Sequence, residues 1–205
     1  MRTVLLRQGF ASEEVRKVWR TALVAAPSKH DAWDGYAEMS LFLRREDEYR
    51  WARQELLKRF ATTNDPYIAE RTGRACLFLS GTEEELQKAA LLISKAVSAD
   101  RTKLQSWAPL YFSFAGGFLA YRQGRFKESA AIMNGDAGRV LGPAPGLVLA
   151  MDQYQLGQKD EAQKTLEKTL KTLDWQLSKA DTREPWMYHI LRREAERLFR
   201  PDAMP

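Results

Sequence analysis

Two stretches of this chain are versions of one another. Tyr121-Arg122-Gln123-Gly124-Arg125-Phe126-Lys127-Glu128-Ser129-Ala130 recurs as Tyr154-Gln155-Leu156-Gly157-Gln158-Lys159-Asp160-Glu161-Ala162-Gln163. Each ends one helix, turns at a glycine and begins another, and the two glycines stand 33 residues apart. A helical pair repeated at that spacing constrains the fold strongly. A unit so small cannot bury its own apolar face, so it stacks on its neighbours and the array folds as one body.

The rest of the chain supports helices throughout. Leu86, Ala89, Ala90, Ile93 and Val97 recur at three and four spacing, the helical period, and no stretch alternates at period two long enough for a strand. Start and stop signals then predict helices at 12–26, 31–44, 46–60, 65–79, 83–99, 103–123, 126–133, 145–156, 159–174 and 185–199. Ser12 before Glu13 and Glu14 reads as an N-cap, Thr82-Glu83-Glu84-Glu85 as a capping box, and Asp65-Pro66 and Glu184-Pro185 as helix starts. Gly124 and Gly157 fall where helices stop. Gly142-Pro143-Ala144-Pro145-Gly146 breaks the pattern between two repeats.

With 205 residues, 44% of them hydrophobic, the chain can bury a substantial core. Its 32 basic and 27 acidic residues are interleaved, as in Arg44-Arg45-Glu46-Asp47-Glu48. That is the pattern of a solvated face, and it argues against nucleic acid as a partner. Cys76 is the single cysteine, so an internal disulfide is excluded, a reducing compartment is favoured and the thiol is expected as a small buried hydrophobe. Residues 3–6 are too short an uncharged run for a signal peptide. The uncharged stretch 107–121 is shorter than a bilayer crossing and holds Pro109, Gly116 and Gly117. A cytoplasmic protein with no membrane partner is expected.

The repeats resemble tetratricopeptide repeats. Trp33 opens a first helix and Ala37 is its small residue. Pro27 stands at the exit of a preceding unit, with Ala22 and Trp19 in that unit's small and bulky positions. Gly73, Gly117 and Ala150 match the small mid-helix position of later units. The resemblance implies an all-α, right-handed superhelix of stacked antiparallel pairs. One domain spans 1–205: a partial repeat 1–27, repeats at about 30–62, 65–100, 103–135 and 144–174, and a closing helix 185–199. Tyr36-Ala37-Glu38 with Arg45-Glu46-Asp47-Glu48-Tyr49, Glu70-Arg71-Thr72-Gly73-Arg74-Ala75-Cys76-Leu77, Phe114-Ala115-Gly116-Gly117-Phe118-Leu119-Ala120-Tyr121-Arg122 and Leu191-Arg192-Arg193-Glu194-Ala195-Glu196 look like the helical-repeat tails of large bacterial serine/threonine kinases and WD-repeat proteins. Such tails imply a role in holding partners or in self-assembly.

Chemistry is not encoded in any motif. The sequence lacks the phosphate-cradling glycine loops and the kinase His-Arg-Asp and Asp-Phe-Gly elements. Its two histidines, His30 and His189, have no second ligand at metal spacing. His30 is read as capping or solvating a helix start, and His189 as a locally satisfied helix-face residue. No enzyme activity and no cofactor are expected.

Function therefore falls to the inner face of the repeats. Aligning the small positions places Asp34, Glu38, Tyr67, Glu70, Arg74, Leu147 and Gln155 along it, with Tyr111, Phe114, Phe118, Tyr121, Arg122, Met151 and Tyr154. The candidate partner site is Arg74, Tyr111, Phe114, Phe118, Tyr121, Arg122, Met151 and Tyr154, an aromatic groove for a protein or peptide segment. The alternative is that Phe114 and Phe118 are core, buried by a neighbouring unit or by the closing helix. The acidic and aromatic lining does not match the Lys, Asn and Arg clamp by which tetratricopeptide proteins hold chaperone tails. A scaffold for a protein partner is the leading reading; a self-assembly module and, more distantly, an RNA-binding repeat are the alternatives. If Tyr121 and Arg122 contact a partner, replacing them should weaken binding and spare stability. Val15, Trp19, Ala22 and Leu23 are expected to form an apolar stripe that an upstream helix would normally cover, with residues 1–8 as its only local candidate.

Overall fold

The computed structural model describes residues 12–25 and 29–200. Among them are ten α-helices and no strand. They are α1 (Ser12–Ala25), α2 (His30–Phe42), α3 (Glu46–Phe60), α4 (Pro66–Ala75), α5 (Glu83–Val97), α6 (Ala108–Arg122), α7 (Phe126–Asn134), α8 (Ala144–Gln155), α9 (Lys159–Leu170) and α10 (Arg183–Phe199). Consecutive helices pair as α2 with α3, α4 with α5, α6 with α7, and α8 with α9, each pair joined by a short connection, and α7 packs as closely on α8. These four hairpins pack in chain order. The last helix departs from that order, since α10 packs on both α8 and α2.

Three of the four hairpins turn identically. In the α6–α7 turn the amide of Arg125 donates to the carbonyl of Ala120 at 2.9 Å, and in the α8–α9 turn Gln158 donates to Gln153 at 2.9 Å. Gly124 and Gly157 take φ of 72° and 79°, the left-handed region that glycine enters freely. The α2–α3 turn repeats the bond, Arg45 to Ser40 at 2.8 Å, but its left-handed residue is Arg44 at φ 60°.

Small residues set the closest helix approaches. A Cβ on Gly73 would come within 2.7 Å of Ile93 Cγ1 on α5, and one on Gly117 within 2.8 Å of Met133 Cε on α7. The caps also form as expected. Thr82 and Glu85 exchange side-chain and backbone bonds at 3.2 and 2.9 Å, and Asp65 Oδ1 accepts from the amide of Tyr67 at 2.8 Å. The cap expected of Ser12 rests on a side chain outside those described, and residues 1–8 lie outside the described residues.

Several boundaries differ from expectation for visible reasons. The helix expected at 65–79 stops at Ala75. The carbonyls that follow are taken by side chains: Ala75 by Tyr49 Oη at 2.9 Å, Leu77 by Arg122 Nε at 2.5 Å, and Leu79 by Arg53 Nη1 at 2.9 Å. Satisfied in this way, the apolar run 76–79 leaves the helix and stays buried or half-buried. The helix expected from 103 begins at Ala108, after a short 3₁₀ turn capped by Asp100. That expected to 174 ends at Leu170, whose carbonyl accepts from Trp175 Nε1 at 2.8 Å.

At the start of the chain, Val15 and Leu23 are buried, and Trp19 meets Tyr36 edge-on at 5.8 Å. Arg16 anchors α1 by donating to Tyr36 Oη at 3.0 Å. The stripe expected to lack a cover is therefore covered at Val15 and Leu23. Ala22 is exposed, as are Val18 and Val24.

Candidate functional site

Helix α10 lies on the face where a groove was expected, and it touches the first helix of all four hairpins. On α2, Arg193 donates to the carbonyls of Leu41 and Phe42 at 2.8 Å each, and Trp186 stacks on Phe42 at 6.3 Å. On α4, Arg74 Nη1 meets Met187 Sδ at 3.4 Å. On α6, Arg122 pairs with Glu194, Nη2 to Oε2 at 2.6 Å. On α8, Tyr154 packs against Phe199 at 4.9 Å. Trp186, Met187, Leu191 and Ala195 are buried along this seat, and each large apolar side chain contributes about 1.5–3 kcal/mol by leaving water. The helix is thus a fixed part of the core.

The candidate partner residues are brought together on that face, but most lie underneath. Phe114, Phe118 and Met151 are fully buried, and Arg74 and Tyr121 nearly so. Phe118 is packed by Phe114 at 6.0 Å, Phe78 at 5.6 Å and the Arg122 guanidinium at 4.8 Å. The core reading of Phe114 and Phe118 therefore holds in this structure. Arg122, half-buried, holds the Leu77 carbonyl and Glu194 at once. Replacing Tyr121 or Arg122 is now expected to affect stability, contrary to the expectation from sequence. Tyr111 and Tyr154 remain partly open, and Tyr111 alone of the eight lies beside Arg74 on an open cleft.

That cleft, of about 300 Å³, opens where α10 begins, between α4, the start of α6 and the α7–α8 connection. Its floor is ionic. Arg183 of α10 grips Glu38 with two bonds, Nε to Oε2 at 2.6 Å and Nη2 to Oε1 at 2.9 Å, and its Nη1 lies 3.1 Å from Asp34 Oδ1. Arg74 donates to Glu70 Oε1 at 2.5 Å and stands 3.6 Å from Glu38. Asp34, Glu38, Glu70 and Arg74 are all buried. Burial alone would lower both arginines, but Glu70 and Glu38 hold Arg74 above the ordinary guanidinium range, and Glu38 and Asp34 do the same for Arg183. Burial pushes the Asp34 carboxyl well above the usual carboxylate range, against the pull of Arg183. Neither Asp34 oxygen receives a well-aligned hydrogen bond, the 3.1 Å approach of Arg183 being off the donor direction.

The cleft walls are aromatic and its rim is charged. Trp107 meets Tyr111 edge-to-face at 5.4 Å and Tyr67 at 5.7 Å, yet the residue is 44% exposed. Tyr67 is held by accepting from the amide of Gln105 at 2.7 Å. Arg71 and Glu184 stand at the mouth, half-buried and exposed respectively. Burial, with Glu184 nearby, raises the Tyr111 hydroxyl above its ordinary pKa.

Sequence reasoning placed Asp34, Glu38, Tyr67 and Glu70 on the inner face, but it missed Trp107, Arg183, Glu184 and Met187. Arg183 lies 145 residues from Glu38, and no local pattern couples the two.

Elsewhere, His189 is wedged between Phe42 at 5.6 Å and Trp175 at 5.4 Å; burial first, then Arg192 and Arg193, lowers its pKa. His30 does not solvate its helix as expected: Nε2 is buried without a hydrogen bond, and the ring meets Phe60 edge-on at 6.2 Å. Cys76 is buried, which pushes its thiol up to about 12. Among the described residues no helix is long and apolar enough to cross a membrane.

No protein-family model, curated protein or solved structure matches this chain.

Proposed function

We propose that this chain is a non-catalytic protein-interaction module of the tetratricopeptide type, whose last helix occupies most of its own groove and leaves one end to a partner. The observation that carries this reading is the seat of α10. It lies across the first helices of successive hairpins, as a bound peptide would, and its first turn forms one side of an open cleft beside Trp107 and Tyr111. The superhelical reading is supported by the three identical turns and by the close approaches at Gly73 and Gly117. The likeness to repeat tails of bacterial signalling proteins suggests the setting, a partner-holding unit within a larger assembly.

A photo-reactive residue in place of Tyr111 tests the site directly. In cells that express the protein, cross-linking from position 111 should capture a discrete partner. The same residue in place of Leu91, which is exposed on α5, should capture none. Equal capture at both positions, or capture only at 91, would refute the assignment of the cleft.

A further inference from the structure

The chemistry of the partner's contact can be read from which groups around the cleft are already engaged. Its formal charges balance, with Glu38, Glu70 and Glu184 against Arg71, Arg74 and Arg183, so net charge does not decide. Engagement does. Arg183 is turned onto Glu38 and Asp34, and Arg74 onto Glu70 and Glu38. Both guanidinium charges are thus already met by carboxylates of the floor. The carboxylates are less fully used. Glu70 gives one oxygen to Arg74, and its second has no partner among the described residues. Glu184 receives only the Tyr188 hydroxyl, at 3.2 Å on Oε2.

The walls point the same way. Trp107 is 44% exposed beside Tyr111, and a cation over an exposed ring face gains about 0.5–2 kcal/mol. An apolar group would desolvate the open carboxylate oxygens with no return, and an anion would meet both of them. Among the described residues no three His, Cys, Asp or Glu side chains are grouped to hold a metal ion, which leaves an organic cation. The volume, about 300 Å³, suits one long side chain and excludes a second helix.

We propose that the cleft is a recognition pocket for one arginine or lysine side chain of a protein partner, its charged head taken by Glu70 and Glu184 against Trp107 and Tyr111. This rests on the interaction-module reading and names the chemistry that module selects. Arg71, half-buried at the mouth and without an ion pair among the described residues, is placed to donate to the partner's backbone carbonyl or a neighbouring carboxylate.

The test uses the full chain and three blocked amino acids: N-acetyl-arginine amide, its citrulline counterpart, and N-acetyl-aspartate amide. Titration calorimetry should show saturable binding of the arginine probe, with citrulline at least about tenfold weaker and aspartate not binding, tenfold being about 1.4 kcal/mol. Tryptophan fluorescence should change on arginine binding, and Trp107→Phe should remove that change. Glu184→Gln, at an exposed position, should weaken the arginine probe several-fold without affecting the fold. Glu70→Gln should weaken it at least about tenfold if the protein remains folded. Citrulline equal to arginine, or aspartate the tightest of the three, overturns the proposal. Capture of a partner from position 111 together with arginine equal to citrulline would leave the module standing and remove the cation. Arginine binding without any capture would remove the module and leave a cation pocket.

Discussion

The two ends of the seat under α10 solve the same packing problem with opposite chemistry. Toward α8, rings and methyl-bearing side chains meet, and Phe114, Phe118 and Met151 close completely under the helix. Toward α2 and α4 the facing groups are Asp34, Glu38, Glu70, Arg74 and Arg183, and a cleft remains beside them. Apolar surfaces can slide and interdigitate until no void is left. Ion pairs fix distance and direction, so the helix start is held where its arginine reaches Glu38, and the space beside it stays open. A sealed end leaves no space; an end held by ion pairs leaves a cleft.

Four substitutions probe this contrast. Phe118→Ala at the sealed end should cost about 3–5 kcal/mol in urea denaturation, the usual loss for a fully buried aromatic ring. A loss under about 1 kcal/mol would mean α10 does not cover that end in solution. Glu38→Gln at the ionic end should cost about 3 kcal/mol, because Arg183 would lose the carboxylate that takes both of its hydrogen bonds and keep only the poorly aligned Asp34 at 3.1 Å. A neutral result would show the floor to be solvated, with α10 lifted away there.

A third substitution separates a paired buried acid from an unpaired one. Asp152 of α8, beside the sealed end, is fully buried and receives only Ser129 Oγ, at 2.6 Å; burial raises its pKa to about 7. The unfolded carboxyl ionises near 3.9. Between those values the native state holds a proton that the unfolded state has lost, so this group's contribution to stability falls as pH rises from about 4 to 7 and is flat above. Asp152→Asn should therefore stabilise the protein clearly at pH 8 and by almost nothing at pH 4. A gain that does not vary with pH would argue that Asp152 is ionised in the native protein. The smallest effect should come from Tyr111→Ala at the cleft wall, below about 1 kcal/mol, since that side chain is already partly open to solvent. A larger loss in thermal unfolding would class Tyr111 with the sealed end.

The repeats were legible where their turns used glycine and hidden where they did not. Gly124 and Gly157 announced two turns, while Arg44 makes the same left-handed turn with a side chain that ordinarily avoids it. The fourth connection, after α4, was masked for another reason. Its apolar run 76–79 has helical composition, and it leaves the helix because Tyr49, Arg53 and Arg122, distant in sequence, take its carbonyls. The candidate site was half legible. Aligning the small positions of the repeats put Arg74, Tyr111 and Phe118 on one face, and that is the face on which α10 lies. Whether that surface was open depended on a helix that follows the last repeat.

By itself the sequence determined that this chain would be helices in hairpins, where most of them begin, and which side chains share a face. Period, caps and turn glycines act over a few residues, and their energies are local. The tertiary structure alone decided that α10 turns back across all four hairpins, that the aromatic stripe becomes core, and that the open surface is the ionic cleft beside Trp107. Those outcomes follow from contacts such as Arg183 with Glu38 and Arg122 with Glu194, between residues far apart in the chain. Such contacts form only when burial has already brought the helices together, and nothing in the neighbourhood of either residue records them.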